Sequence, residues 1–246
     1  KTRNNFLGKV TYNIDEQSFV EFTGEIFNNI NDSKFSTANI PGLAFEFSTT
    51  DLEEKAITNR QRLSLAYQFD KPDSDSWIKF ARTHVYFQNV LTEEESFKKT
   101  SSRGSIGSQE EEKDLTDRSF GANIKLGSDF DWGNTNHRLS YGLDISNTYN
   151  ERNNLRFDTT SGIRVDASGY PQKDFPDSNT FRLGLYLQDE IAFDNSKLKV
   201  IPGLRFDSYR LSTENNPEFT KKGNDAVDIS ESAINPSLGV VYEANP

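Results

Sequence analysis

The chain has 246 residues, no cysteine and a net charge of −10 with neutral histidines. The missing cysteines exclude disulfides and thiolate metal sites, and the acidic balance argues against a nucleic-acid surface, which needs clustered Lys and Arg. No apolar run reaches about 18 residues, which excludes transmembrane helices. The chain has no Met and starts at Lys1, so we expect it to be a piece of a longer protein.

Apolar and polar residues alternate in nine runs, with the period of two that is typical of strands. The runs, in chain order, are 5–12, 18–29, 58–69, 77–91, 117–130, 137–149, 179–193, 198–209 and 233–242. In the seventh run, Leu183, Leu185 and Leu187 share one face, while Arg182 and Gln188 share the other. Only 33% of residues are hydrophobic but 12% are aromatic, a combination found in β-barrels with a polar interior.

Short turns alternate with long polar connections along the whole chain. The turns are 15–17, 70–76, 131–136 and 194–197, and the connections are 30–56, 92–116, 150–178 and 213–232. A soluble β-sandwich has no reason to sort its loops by length, whereas a transmembrane barrel has short periplasmic turns and long extracellular loops. Each run is also close to the length that crosses a bilayer when tilted. We therefore expect the apolar faces to meet lipid.

An odd number of strands indicates that the barrel is incomplete, because bacterial single-chain barrels usually have an even number. The sequence therefore predicts an all-β fold, an arc of about nine antiparallel strands from a large transmembrane β-barrel. Residues 1–246 would form part of one barrel domain, with strands missing on both sides.

Four segments resemble the barrel hairpins of TonB-dependent outer-membrane receptors. They are HRLSYGLDIS (137–146), LGLYLQDEIAF (183–193), LKVIPGLRFDSY (198–209) and INPSLGVVYEANP (234–246). Within that family the chain is most similar to receptors for heme, hemoglobin and other iron-carrying proteins. The resemblance implies a barrel of about 22 strands closed by a plug, with the plug and the remaining strands outside this piece.

The resemblance also implies a function, which is import across the bacterial outer membrane. The expected ligand is heme, or iron from a heme- or iron-carrying protein bound at the extracellular loops. The periplasmic coupling protein TonB would act through a segment outside this piece. Outer-membrane lipid would be a further partner, and heme would be a transported ligand and not an intrinsic cofactor. The alternatives are a siderophore or other TonB-dependent receptor, or a passive porin-type barrel.

An outer-membrane lipase or protease is a further rival, but it needs a Ser–His or Asp–His constellation at the outer rim. His84 lies in the middle of a run and His137 abuts the short turn 131–136, so neither is placed for catalysis, and we expect no enzyme and no metal site. Asp189 and Glu190 are adjacent and therefore point to opposite faces, which favours charges that order the rim.

Apolar residues in the polar connections are the candidates for ligand contact. They are Phe35, Phe45, Phe47, Phe157, Tyr170 and Phe175. Apolar residues surrounded by polar ones often mark partner surfaces, although these segments could equally pack on their neighbours or continue a strand. The acidic stretches 93–95 and 110–112 are either a docking surface or solvated loop. Polar residues such as Arg62, Gln68 and Arg205 are expected to line the lumen.

Overall fold

A computed structural model describes residues 1–38, 47–102, 105–194, 196–221 and 223–244. The strands and the single short helix, in chain order, are β1 (Thr2–Asp15), β2 (Ser18–Ala38), β3 (Phe47–Asp70), β4 (Phe80–Ser102), β5 (Ser105–Trp132), β6 (Thr135–Asp158), β7 (Val165–Asp166), β8 (Ser178–Phe193), β9 (Leu198–Thr213), α1 (Pro217–Thr220) and β10 (Ile229–Tyr242).

All strands belong to one antiparallel sheet, in which consecutive strands are neighbours from β1 to β6 and from β8 to β10. The two-residue strand β7 pairs with the outer end of β6, and β6 pairs directly with β8. The nine predicted runs are all strands, so the predicted arc is confirmed. Among the described residues, no helix is both long and apolar enough to cross a bilayer.

The strands β2 to β6 are far longer than a bilayer requires. β5 alone has 28 residues, which span roughly 90 Å at about 3.3 Å per residue. A tilted strand needs only about 10 residues to cross the membrane. Most of β5 therefore lies outside the lipid, and we call residues 30–38 and 47–57 of β2 and β3, together with 92–102 and 105–116 of β4 and β5, the outer ribbons.

The predicted connections 30–56 and 92–116 are wrong as loops over their described residues, because the ladder continues into both of them. β2 pairs with β3 as far as Ala38 and Thr49, and β4 pairs with β5 as far as Ser102 and Ser105. Both faces of a ribbon above the membrane meet water, so the apolar alternation disappears while the backbone pairing persists. Polarity alone therefore gave the wrong structure for these segments.

The remaining connections differ at the two ends of the sheet. The inner end has the connections 16–17, 71–79, 133–134 and 194–197, while the outer end carries the long connections 159–177 and 214–228. Gly133 takes a φ of +62° in its two-residue turn, a conformation that favours glycine. Trp77, predicted to begin a strand, instead lies in the connection 71–79, since β4 begins at Phe80.

The sheet has very little apolar core of its own. In the part of the chain that the structure describes, Ala81 and Phe219 are the only buried apolar residues. The large apolar side chains are exposed along one face instead, as at Leu185 (45%) and Leu187 (48%). Leu185 pairs with Leu143 in the register of β6 and β8, so apolar rows run from strand to strand on the face that meets lipid.

Candidate functional site

The polar face of the wall is cross-linked from β5 to β10. Arg205 Nε donates to Asp207 Oδ1 at 2.8 Å, and Arg205 Nη1 lies 3.4 Å from Asp144 Oδ2. Asn123 donates to Asp144, and Asn235 Nδ2 donates to Asp207 Oδ2 at 3.2 Å. These residues join β5, β6, β9 and β10 through side chains alone and cross β8 between them, which fixes the lumen-facing surface.

The same face carries a series of cations. Strand register places Arg62, Arg82, Lys125, Arg182 and Arg205 on it, within β3, β4, β5, β8 and β9. The Arg62 guanidinium lies 5.7 Å from the Tyr86 ring centre, and Arg182 lies equally far from that of Tyr209. Guanidinium groups bind carboxylate and phosphate oxygens in pairs and stack on aromatic rings. Arg62 and Arg182, which lie against rings, are therefore suited to oxygen-rich anions, whereas Arg205 is already held by Asp207 and Asp144.

Arg156 of β6 and Glu111 of β5 form an ion pair near the outer ends of these strands. Arg156 Nη2 lies 3.1 Å from Glu111 Oε1. Burial alone would raise the pKa of the Glu111 carboxyl, but the hydrogen bond from Arg156 and the charges of Lys113 and Arg156 outweigh it and lower the pKa below the usual glutamate value. Glu111 is therefore ionised and holds Arg156 in place.

Two aromatic residues of the connection 159–177 lie against arginines of β6. The Arg156 guanidinium is 4.7 Å from the ring centre of Tyr170, and that of Arg152 is 5.3 Å from Phe175. Gln172 Nε2 donates to the Tyr170 hydroxyl at 2.9 Å, and burial raises the pKa of that hydroxyl above the usual tyrosine value. Tyr170 is thus a neutral hydrogen-bonding aromatic beside a fixed cation.

The predicted contact residues separate into three groups. Phe35, Phe47 and Phe157 lie in the strands β2, β3 and β6, so their placement in loops is wrong, whereas Tyr170 and Phe175 lie in a connection as predicted. Phe45 lies outside the described residues. Whether any of them contacts a ligand stays a prediction.

The structure brings some of these residues together and separates others. Phe35 lines one hollow with Leu52, Glu111 and Arg156. Phe157 is next to Arg156 in β6 and therefore faces the other way, where the Arg164 guanidinium lies 3.5 Å from its ring centre. The sequence analysis missed Arg152 and Arg156. In a strand, residues 152, 154 and 156 share one face, so this period of two could have indicated that the strand continues beyond Tyr149.

Neither histidine lies in the outer region. His137 is bound by neighbouring side chains at the inner turn, and His84 lies in the wall. His137 Nδ1 lies 2.7 Å from Asp189 Oδ2, and its Nε2 lies 2.9 Å from Thr135 Oγ1. This arrangement resembles a hydroxyl–His–carboxylate triad. However, the Thr135 hydroxyl donates its only proton to the Trp132 carbonyl oxygen at 2.6 Å, so it does not donate that proton to His137. The group packs on Phe130, 4.8 Å away, so it orders the inner turn.

The adjacent carboxylates Asp189 and Glu190 diverge as predicted. Asp189 contacts His137, whereas Glu190 lies 3.0 Å from Lys199 Nζ across the hairpin of β8 and β9. His84 lies near the inner end of β4, beside Asn123 of β5 in the register. It therefore shares the polar face of the wall, well inside the outer rim.

The acidic stretches lie on the outer ribbons. Arg164 pairs with Glu112 and lies 3.6 Å from Glu110, and Lys55 lies 3.4 Å from Glu95. Within the described ranges, no group of three or more His, Asp or Glu side chains is arranged to hold a metal ion. The carboxylates are spread along exposed ladders, with cations from neighbouring strands between them.

The chain was compared with known families, curated proteins and solved structures. The family model "TonB dependent receptor-like, beta-barrel" matches residues 3–246. No curated protein matches the sequence.

Several solved structures are similar to this chain, and two of them serve as examples. The unliganded ferric citrate transporter FecA has a TM-score of 0.53 and 16% identity, over 99% of this chain and 39% of that one. The ferric preacinetobactin receptor BauA from Acinetobacter baumannii has a TM-score of 0.48 and 12% identity, over 98% of this chain and 43% of that one. This chain therefore spans about two fifths of their length, and the likeness to FecA shows the fold alone.

Proposed function

This chain belongs to the TonB-dependent receptor-like β-barrel family of the outer membrane, and we propose on that premise that it helps to import an anionic ferric chelate. It would supply part of the barrel wall and part of the outer binding surface. The plug, and the segment through which TonB delivers energy, would lie elsewhere in the receptor. Import, its ligand and its partners are all parts of this proposal.

The observation that carries the chelate assignment is the placement of cations along the polar face. Arg152 and Arg156 lie at the outer end beside Phe175 and Tyr170, and Arg182 follows deeper in the wall, against Tyr209. A ferric chelate with carboxylate, catecholate or hydroxamate oxygens is a planar or compact group rich in oxygen. Guanidinium groups beside aromatic rings suit such a ligand through charge and stacking together.

Import of heme, or of iron from a heme- or iron-carrying protein, is the second candidate. The observation that favours it is the exposure of aliphatic side chains in the outer region, at Ile106 (68%) and Ile163 (69%), since exposed apolar residues are suited to a protein partner. However, the two histidines of the chain lie in the wall and at the inner turn. An axial histidine for heme would thus have to come from His84 or from another part of the receptor.

Growth of a deletion strain distinguishes the two candidates. The gene that contains this chain is deleted, and cells grow with a ferric chelate, heme or hemoglobin as the sole iron source. We expect the deletion to abolish growth on one ferric chelate while growth on heme and hemoglobin is unchanged. Loss of growth on the heme sources alone would overturn the chelate assignment in favour of the second candidate.

A matched pair of arginine variants tests the binding surface. Arg156 and Arg164 both contact a glutamate and an aromatic ring in the outer region, but they belong to opposite faces. Hydrogen bonds to charged groups contribute about 1.5–3 kcal/mol, so Arg156→Ala should weaken chelate binding about 10- to 100-fold. Arg164→Ala should leave the Kd unchanged. Titration of the purified receptor with the chelate measures both, and equal effects would contradict the proposed surface.

A further inference from the structure

A buried ion pair lies in the outer connection 159–177. Lys173 Nζ is 2.6 and 2.7 Å from the two carboxylate oxygens of Asp177. The two side chains are only 6% and 8% exposed, although charged residues are rarely buried unless they are paired. In a sheet with so little buried apolar surface, this pair is one of the few side-chain clusters removed from water.

The pair is bound to the other outer connection, 214–228. Asn216 Oδ1 accepts a hydrogen bond from the Asp177 backbone N–H at 2.8 Å, and Asn216 Nδ2 donates to Asp177 Oδ2 at 3.1 Å. We call Lys173, Asp177 and Asn216 the latch. The single side-chain amide of Asn216 thus binds both the backbone N–H and the carboxylate of Asp177. Replacing either contact leaves a buried polar group unpaired unless water takes its place.

Backbone and side-chain contacts on both sides of the latch reinforce the junction. The Glu214 N–H donates to the Asp177 carbonyl at 2.7 Å, and the Lys173 N–H donates to the Glu218 carbonyl at 3.1 Å. Lys221 Nζ contacts the Pro171 carbonyl, and Phe219 is the buried residue of α1. The junction therefore runs along the whole segment 171–177.

The latched segment is also the one that carries the two aromatic residues. Tyr170 and Phe175 flank Lys173 and lie against Arg156 and Arg152 of β6. The segment is also held to β6 by the backbone hydrogen bonds between Gln172 and the buried Asn154, and the latch adds a second buried attachment on its other side. The position of both rings therefore depends on the connection 214–228 as well as on β6.

We propose that the latch joins the connections 159–177 and 214–228 into one body, and that its three residues are positioning residues for Tyr170 and Phe175. The connection 214–228 thereby sets the shape of a surface that it does not itself line. The joining of the two connections stands on the contacts alone. The effect on the ligand rests on the proposed function.

Hydrogen exchange in the intact receptor tests the joining. Lys173→Met removes the ammonium and leaves the Asp177 carboxylate buried, so we expect amides in both 159–177 and 214–228 to exchange at least about tenfold faster. Amides of β8 and β9 should be unchanged, which excludes general unfolding. The matched control is Lys34→Met, which breaks an ion pair whose side chains are 69% and 48% exposed. Faster exchange confined to 159–177 would overturn the proposal.

Spin labels measure the same property as a distance. The chain has no cysteine, so Ser168→Cys and Asp225→Cys supply its two labelling positions, one on each connection, in a receptor from which cysteines outside this chain have been removed. A narrow distance distribution should broaden with Lys173→Met. The double variant Lys173→Met and Asp177→Asn, which restores neutrality and keeps an oxygen for Asn216, should narrow it again. A distribution that Lys173→Met leaves unchanged would contradict a joined body.

The ligand is tested separately with a ferric chelate that supports growth. Lys173→Met should weaken its binding about tenfold, and the double variant should recover most of the loss, because the rings return to their positions. If exchange changes but the Kd does not, the latch joins the connections and does not position the rings. If no ferric chelate binds at all, the proposed function fails while the exchange result stands.

Discussion

The wall and the outer region are built by the same strands, yet they are ordered in different ways. In the wall, lipid meets one face and the lumen meets the other, so aliphatic side chains alternate with polar and aromatic ones. In the outer region both faces meet water, and order comes from the backbone ladder, from exposed ion pairs and from the latch. Strand length in this protein is therefore independent of membrane thickness, and the alternation marks only where the membrane lies.

The largest difference between the regions should appear when an arginine is placed on each. Leu185→Arg puts a charge among apolar rows on the lipid face, which costs about 2–4 kcal/mol near the middle of a bilayer. Ile106→Arg places the same charge at the end of an outer ribbon, where the side chain is already 68% exposed, and should change stability by less than about 0.5 kcal/mol.

Urea unfolding of the intact receptor in phospholipid vesicles measures both variants. A similar loss for Leu185→Arg and Ile106→Arg would break the comparison, since it would place both positions in the same solvent.

An intermediate effect is expected from a methyl group added to a glycine in each region. A Cβ at Gly142 would collide with the Ile124 carbonyl oxygen and the Tyr186 ring, whereas a Cβ at Gly107 would meet the Thr100 hydroxyl at 3.2 Å. Gly142→Ala should therefore cost about 1–3 kcal/mol, as overpacking does, while Gly107→Ala should be nearly neutral.

The temperature at which the folded barrel unfolds on a gel reports this pair. The wall leaves no room beside Gly142 because Tyr186 lies over it. A neutral Gly142→Ala would mean that the wall adapts as easily as the ribbon does.

The smallest effect concerns charge in the outer region alone. Burial raises the pKa of the Asp114 carboxyl above the usual aspartate value, and the neighbouring Glu112, Glu151 and Glu95 raise it further. An acid whose pKa is higher in the folded state destabilises the fold above that pKa and has no effect below its unfolded value. Asp114→Asn should therefore stabilise the outer ends of β5 and β6 at pH 7, by at most about 0.5 kcal/mol because water screens the charges.

Hydrogen exchange of β5 and β6 compares the variant with the parent receptor at each pH. The gain should shrink as the pH falls through the raised pKa towards the ordinary one, and it should vanish near pH 3. A gain that persists at low pH would assign the effect to something other than charge.

The wall was predictable from the sequence because its two faces meet different solvents. The alternation at Leu183, Leu185 and Leu187 gave the strand, its lipid-facing side and the arc. The outer ribbons were not predictable in the same way, because a strand with water on both faces has no apolar period. The helix α1 and the latch depend on contacts between residues about 40 positions apart, such as Asp177 and Asn216, for which local spacing holds no signal.

The strand order has a consequence for how the protein reaches its structure. Every strand of the main path pairs with the one before it in that path, so a hairpin can start to form at its inner turn. In the hairpin of β5 and β6, pairing would begin with Trp132 and Thr135 and proceed outward until Gln109 pairs with Asp158. Each new pair of residues costs little loop-closure entropy once the pair on its inner side has formed. The sheet can therefore grow as each hairpin adds to the edge strand of the hairpin before it. The long outer ends of the strands would pair last.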